Sequence, residues 1–474
     1  MKLQNSELAI LLKEYELIIN EIKKLQQKQI DQKNKDLTFI DKNFTQIQQK
    51  KNMLQEINKQ IDYISPNIER AMNIKLYELD QIQNLLGKND SIIIPFNADG
   101  SHYTWFISNS VVHLFKPLPS NLRQDQGFQS NVENIIQGIN KKVNGTIEPW
   151  EENYYIKQST ENLYDMLIRQ LQENDYLKDI KKITFITNEE LSKIPLSILK
   201  DSDTKKYLID KFAITNVINL SAFEAKSISL NYDTYQTFLG IGNPIFDNTK
   251  TIANEFPKMD RKNFLNTIFR SNQLANIDTL RALEALPETE DELKRISSNF
   301  KNKNTKLLLK EDASEKKLKS LDLMKYDIIS FATHTLPAKK NINNSQPGLV
   351  LSLPEQSTVV YDGILTPGEI ASLNLNAKIV ILSACNTAVG KYENSESLSG
   401  LAESFIFAGA ESLILSHWPV ETEATSQLMQ LFVNNLKTKK MPRAVAFQQA
   451  IIELKKTEQF THPLFWAGFS YYGT

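Results

Sequence analysis

Lys378-Ile-Val-Ile-Leu-Ser-Ala-Cys-Asn-Thr-Ala388 holds the single cysteine of this 474-residue chain, and its texture decides the fold. Ile379 to Leu382 is an unbroken β-branched and aliphatic run, the pattern of a strand buried on both faces of a parallel sheet. Ser383 and Ala384 are small and let the backbone leave the sheet tightly. Cys385 is therefore expected at the carboxyl end of a central strand, where open α/β sheets place their reactive groups. The plainer alternative is a buried cysteine acting as a small hydrophobe.

A second stretch, Tyr326-Asp-Ile-Ile-Ser-Phe-Ala-Thr-His-Thr335, repeats the grammar: an apolar run from Ile328 to Phe331, small polar residues, then His334. His334 precedes Cys385 by 51 positions, close to the roughly 50 that separate the catalytic pair in caspases. One crossover and a neighbouring parallel strand fit that interval. Neighbouring strands would bring imidazole and thiol to one sheet edge. A thiol of pKa about 8.5 is mostly protonated at neutral pH and needs such a base, or an electropositive neighbour, to become a nucleophile.

Working outward, strands alternate with helices. Glu288 to Phe300 reads as a helix, Lys306 to Lys310 as a strand and Ala313 to Leu321 as a helix. Gly348 to Ser352 is a strand, and Val359 to Leu365 is hairpin-like. Thr366-Pro-Gly-Glu-Ile370 opens a short helix with Thr366 as N-cap and Pro367 at the first helical position. Val389 to Ser399 is a flexible loop placed to wall the site, Gly400 to Gly409 a helix, Ser412 to Trp418 a strand, and Leu464 to Ser470 an apolar closing segment.

Upstream, Ser91 to Phe96, Tyr103 to Ser108 and Val111 to Phe115 read as an antiparallel meander turning at Asp99-Gly100. Helices over Leu122 to Lys141 and Thr160 to Glu173 precede buried strands at Lys182 to Thr187 and Thr237 to Pro244. The implied class is α/β, a doubly wound, mostly parallel sheet flanked by helices. Gly240-Ile-Gly242 has the start of a dinucleotide fingerprint, but Ile245 stands where the third glycine belongs, so nucleotide binding is not read. Asn248 to Ala285, polar and irregular, is expected to be a surface or lid-like insertion.

Residues 1 to 71 differ in texture: no glycine, one proline, and apolar positions spaced by three and four. That spacing predicts two amphipathic helices joined near Asp31 to Asp36, a helical hairpin or short coiled coil. It serves either as a partner-binding or sensing arm or as a packing extension, since a helical stripe says only that something is covered. The net charge of −1, on 55 basic and 56 acidic residues, gives no global attraction to nucleic acid or to a membrane surface. One cysteine forms no internal disulfide, no signal peptide is read at the amino terminus, and no apolar run approaches a membrane span, so a cytoplasmic protein is expected. One cysteine and scattered histidines suggest no metal site, and nothing suggests a cofactor. His102 and His113 sit in the meander, His462 reads as a turn residue, and His417 as a satisfied structural histidine.

Five ordered motifs now stand together: Ala332-Thr-His-Thr; Asp362-Gly-Ile-Leu-Thr with Glu369-Ile-Ala-Ser-Leu; Leu382-Ser-Ala-Cys-Asn-Thr-Ala; Ala408-Gly-Ala with Ser416-His-Trp-Pro-Val; and Pro463-Leu-Phe-Trp-Ala-Gly-Phe. In this they resemble a CHAT domain, a family similar to caspases and separases. Weaker echoes lie at Leu191 to Leu196 and Leu286 to Leu293. The resemblance covers roughly residues 72 to 474. It implies a caspase-like sheet with an N-terminal half over 72–245, the insertion over 246–285 and a catalytic subdomain over 286–474. It also implies a cysteine endopeptidase, often attached to helical repeats and found in bacterial defence or cell death.

Carried over to this chain, the resemblance makes Cys385 the nucleophile and His334 the residue that supplies or relays a proton to the leaving amine. The oxyanion would be held by the backbone N–H groups of Cys385 and Thr335, donors of a kind worth about 3 kcal/mol each. Thr335 stands where the family usually has glycine, and Ser330 where a histidine is common. Glu421, Thr422 and Glu423 fall where separase-like relatives read a basic P1 side chain, with Thr422 at the aligned position, so arginine or lysine competes there with a neutral residue. With Ser383 at the strand end, these are the candidate substrate-binding residues. The implied partners are a protein substrate and a regulatory protein or complex that meets the N-terminal helices. A non-catalytic, protein-binding scaffold with the same fold is the alternative.

Overall fold

The apolar runs become fourteen strands in a computed structural model that describes residues 18, 21, 46, 49, 50, 53, 79–98, 101–116, 127–187, 190–217, 234–246, 280–336, 347–355, 361–383 and 395–473. They are β1 (Asp90–Ala98), β2 (Ser101–Ser108), β3 (Val112–Phe115), β4 (Lys182–Ile186), β5 (Ala213–Val217), β6 (Phe238–Pro244) and β7 (Thr305–Lys310). There follow β8 (Ile328–Ala332), β9 (Thr335–Leu336), β10 (Gly348–Val350), β11 (Ile364–Leu365), β12 (Ile379–Leu382), β13 (Leu413–Ser416) and β14 (Phe469–Tyr472). Four helices position the site: α1 (Glu288–Ser297), α2 (Ser395–Phe407), α3 (Thr422–Lys437) and α4 (Arg443–Lys455).

Eleven strands form one mixed, mostly parallel sheet in the order β3-β2-β1-β4-β5-β14-β13-β12-β8-β6-β7. It contains two parallel blocks, β7-β6-β8-β12-β13 and β14-β5-β4-β1, that meet where β14 runs antiparallel to β13. The expected meander is present as antiparallel β1-β2-β3. Within the second block β14 is held lightly: β5 and β14 share one register pair, Asn216 with Tyr472, and buried Asn216 donates Nδ2–H to the Tyr471 carbonyl at 3.2 Å. The closing segment read at Leu464 to Ser470 is thus a short helix, Pro463–Trp466, capped by His462, followed by the strand that joins the two blocks.

Strand residues alternate between two apolar layers, as a sheet covered on both faces requires. Ile328, Ala332, Ile379, Ile381 and Ile414 share one layer with Leu293 and Ile296 of α1, Leu428 and Phe432 of α3 and Ile451 of α4. Ile329, Phe331, Val380, Leu382 and Leu415 share the other with Leu401 and Phe405 of α2. The glycines of Gly240-Ile-Gly242 serve this packing. A Cβ on Gly242 would lie 2.6 Å from Leu293 Cδ1 and 3.0 Å from the Ala332 carbonyl, so glycine lets α1 sit directly on β6.

A small sheet, β11-β10-β9, continues from the end of β8. Thr366 caps the helix Pro367–Ala371 as expected, in a reciprocal box with Glu369. Of the insertion expected over 246–285, residues 247–279 lie outside the described ones. Its end belongs to the core rather than the surface, because Leu280 and Leu283 are buried with Phe246, Leu336 and Val350.

The chain divides into two compact units, Met1–Leu76 and Tyr77–Thr474. In the first, the described residues are helical, Ile18 is buried and Lys50 pairs with Glu21. The remainder of the helical hairpin expected there lies outside the described residues. No helix among the described residues is long and apolar enough to cross a membrane.

Candidate active site

β8 and β12 are parallel neighbours with Leu382 opposite Phe331, and the ladder extends one residue further through Ser383 N–H to the Phe331 carbonyl at 2.9 Å. His334 follows Phe331 by three residues, and Cys385 follows Leu382 by three. In sequence, histidine and cysteine thus stand equally far beyond a pair of register partners on adjacent strands, and paired strands lie about 4.8 Å apart. Cys385 itself lies outside the described residues, as do 389–394 of the wall expected over 389–399, while 395–399 are the start of α2 rather than loop.

His334 sits where β8 passes into β9 and is only 1% exposed. Its ring is 5.5 Å from that of Phe246, and Nε2 lies 2.7 Å from the Glu284 carbonyl oxygen. A carbonyl only accepts, so Nε2 carries the proton and Nδ1 is the basic nitrogen of the neutral ring. The histidine backbone is also anchored, its carbonyl accepting from Val350 N–H at 2.9 Å and the neighbouring Thr333 hydroxyl bonding the Val350 carbonyl. Thr335 opposes Leu349 in the β9-β10 ladder. Because the bond from Val350 reaches His334, the Thr335–Leu349 pair is of the non-hydrogen-bonded kind, and the Thr335 N–H is directed away from β10.

Ser383 leaves β12 with its hydroxyl oxygen buried and lacking a hydrogen-bond partner. It faces Glu292 of α1, which is 3% exposed and whose Oε1 is likewise buried without one. Burial, reinforced by the charge of Glu288, pushes the Glu292 carboxyl up to about 7, against a smaller lowering by Ser383. The two groups are thus near enough to interact but are not aligned as a hydrogen bond. Glu292 did not emerge from motif reasoning, although a signal was present: it shares the buried stripe of α1 with Thr289, Leu293 and Ile296. The Glu284 carbonyl had no such signal, because its role is played by backbone.

The acidic segment after β13 is occupied structurally. Glu421 is the N-cap of α3, its carboxylate accepting from Ala424 N–H at 2.8 Å; Thr422 is the first helical residue; and Glu423 pairs with Arg295 of α1 at 2.6 Å. Glu423 and Arg295 line a polar cleft of about 670 Å³ with Gln427, Gln430, Leu431 and Glu453. His417 is buried, 2.7 Å from Ser470 Oγ, and desolvation holds it down at about 4, so it is a neutral core histidine. His462 accepts from Leu464 N–H and pairs with Glu152 at 2.7 Å. Among the described residues, no cluster of three or more His, Cys, Asp or Glu could hold a metal.

The family model of the CHAT domain matches residues 157–474. Tetratricopeptide repeat protein 28 of Homo sapiens is 21% identical over 377 residues, which cover 74% of this chain and 15% of that protein. Its Mus musculus counterpart is 22% identical over 359 residues, covering 69% and 14%. The chain thus spans about 15% of the length of these relatives. Among solved structures, the chain is similar to Saccharomyces cerevisiae separase in its complex with securin, at a TM-score of 0.46 and 11% identity, covering 96% of this chain and 37% of that one. It is also similar to the Arg-specific cysteine proteinase gingipain R, at a TM-score of 0.35 and 9% identity, covering 72% and 74%.

Proposed function

This chain belongs to the CHAT-domain family, and on that footing we propose that it is a cysteine endopeptidase working through His334 and Cys385. The observation that supports the reading is the β8-β12 register, in which Phe331 and Leu382, three residues before His334 and Cys385 respectively, are partners. The anchoring of His334 supports it, since an Nε2 proton held by the Glu284 carbonyl sets the orientation of the ring.

In this mechanism, the Cys385 sulfur attacks the scissile carbonyl and the carbon–nitrogen bond breaks. The thiol proton reaches the leaving amine through His334, and a thioester remains. Water then attacks the thioester, giving up a proton through the same imidazole and restoring the thiol. The Thr335 N–H, turned away from β10, and that of Cys385 would hold the oxyanion. A basic P1 side chain meets two carboxylates already engaged, Glu421 as a cap and Glu423 with Arg295, so it would have to displace Arg295 to reach Glu423. The separate unit Met1–Leu76 is the proposed docking arm for a regulatory protein. The family resemblance extends the proposal to a regulated cytoplasmic effector of bacterial defence or cell death.

The test is labelling by a thiol-reactive peptide electrophile, together with cleavage of a peptide library, on the full chain with and without candidate partners. Cys385→Ala is expected to lose both activities. His334→Gln, which can still donate to the Glu284 carbonyl but cannot act as a base, is expected to keep the fold and lose cleavage. Wild-type protein that is never labelled under any condition would leave the non-catalytic scaffold as the function.

A further inference from the structure

The buried stripe of α1 consists of Thr289, Glu292, Leu293 and Ile296, and a glutamate is out of pattern there. Its carboxyl faces Ser383, the residue that leaves β12, and both Glu292 Oε1 and Ser383 Oγ are buried without a partner. An ionised carboxylate with an unpaired oxygen is strongly disfavoured in an apolar site, whereas a neutral acid carries a proton to donate. Ser383 is fixed from the other side by its N–H on the Phe331 carbonyl, and Cys385 follows two positions later.

We propose that Glu292 is a positioning residue for the cysteine strand: as a neutral acid buried beside Ser383 it keeps negative charge away from the edge where the nucleophile ionises. This rests on the protease reading only in taking Cys385 as the nucleophile. When Glu292 loses its proton to solvent, the new negative charge opposes formation of a thiolate. The charged group that faces Glu292 is Glu288, one turn earlier on α1. α3, β6, β7 and β8 also pack on α1, and none of their described residues contributes a charge to Glu292. The charged pairs Lys294–Glu290 and Arg295–Glu423 are directed elsewhere.

The test uses the full chain, whose single cysteine makes iodoacetamide a reporter of Cys385 alone. Infrared spectra are expected to show a protonated-carboxyl band that disappears as pH rises through about 7, is missing in Glu292→Gln and moves in Ser383→Ala. Above that pH, the wild-type alkylation rate should fall below a single-ionisation curve, and Glu292→Gln should restore the simple curve; a purely packing role would move stability without moving this profile. A band that persists in Glu292→Gln, or a band that behaves as expected with identical alkylation profiles in the two proteins, overturns the proposal. If alkylation follows the expected profile while no peptide is ever cleaved, the protease reading fails and the positioning role stands.

Discussion

Replacing Glu292 with glutamine should make the protein more resistant to rising pH. In the fold the carboxyl is held near 7, against an ordinary value of 4.5, because it is buried behind α1 against Ser383. Below pH 4.5 the folded and unfolded chains both carry the proton, and the site costs nothing. Between 4.5 and 7 the unfolded chain releases the proton while the folded chain keeps it, so stability falls with pH until the folded group also ionises. Raising a carboxyl by this much corresponds to ~3 kcal/mol, since each tenfold change in proton affinity is worth about 1.4 kcal/mol. Glutamine keeps the volume and a donor but does not titrate. Urea unfolding of wild type and Glu292→Gln, compared pairwise from pH 4 to 8, cancels every group the two proteins share. The variant's advantage should grow across that range and level off above 7. A difference that stays flat to within about 0.5 kcal/mol, the scatter of inert substitutions, refutes the buried-acid argument.

Other consequences follow from the same contacts. Gly242→Ala places a methyl 2.6 Å from Leu293 Cδ1 and 3.0 Å from the Ala332 carbonyl; the overpacking should cost about 1–3 kcal/mol by thermal unfolding, and a neutral result contradicts the seat assigned to α1. His417 is held down at about 4 by burial, so wild type should lose stability as pH falls from 6.5 towards 4, with His417→Phe free of that acid-linked loss; equal pH slopes for the two proteins would refute it. Glu421→Ala removes the cap of α3 and should cost about 1 kcal/mol. Glu423→Ala breaks a half-exposed pair and should cost about 0.5 kcal/mol or less, so a reversed order in urea unfolding would show that the two carboxylates have been misassigned.

What could be read in advance was what repeats or alternates. The runs Ile328 to Phe331 and Ile379 to Leu382 announced two-faced strands, and they are register partners whose residues divide between two apolar layers. Thr366 and Pro367 announced a capped helix, and His417 a core histidine, because local chemistry settles both. The four-residue strand β14 was hidden in an apolar tail, too short for alternation to show, and its place at the seam depends on pairing with β5 and β13, far away in sequence. The Glu284 carbonyl that orients His334 is a backbone group brought by a loop, and no side-chain pattern encodes such a contact. Glu292 was legible as a polar residue in an apolar stripe, but the hydroxyl it faces is fixed only by how α1 lies on the sheet.

The central claim is that His334 and Cys385 meet. It is tested most directly by a crystal structure of the full chain, free and carrying a peptide electrophile on Cys385. The β8-β12 register predicts the Cys385 sulfur within about 4 Å of His334 Nδ1, at or near hydrogen-bond reach. A separation beyond roughly 7 Å in both states, more than the spacing of adjacent strands can account for, would contradict the dyad.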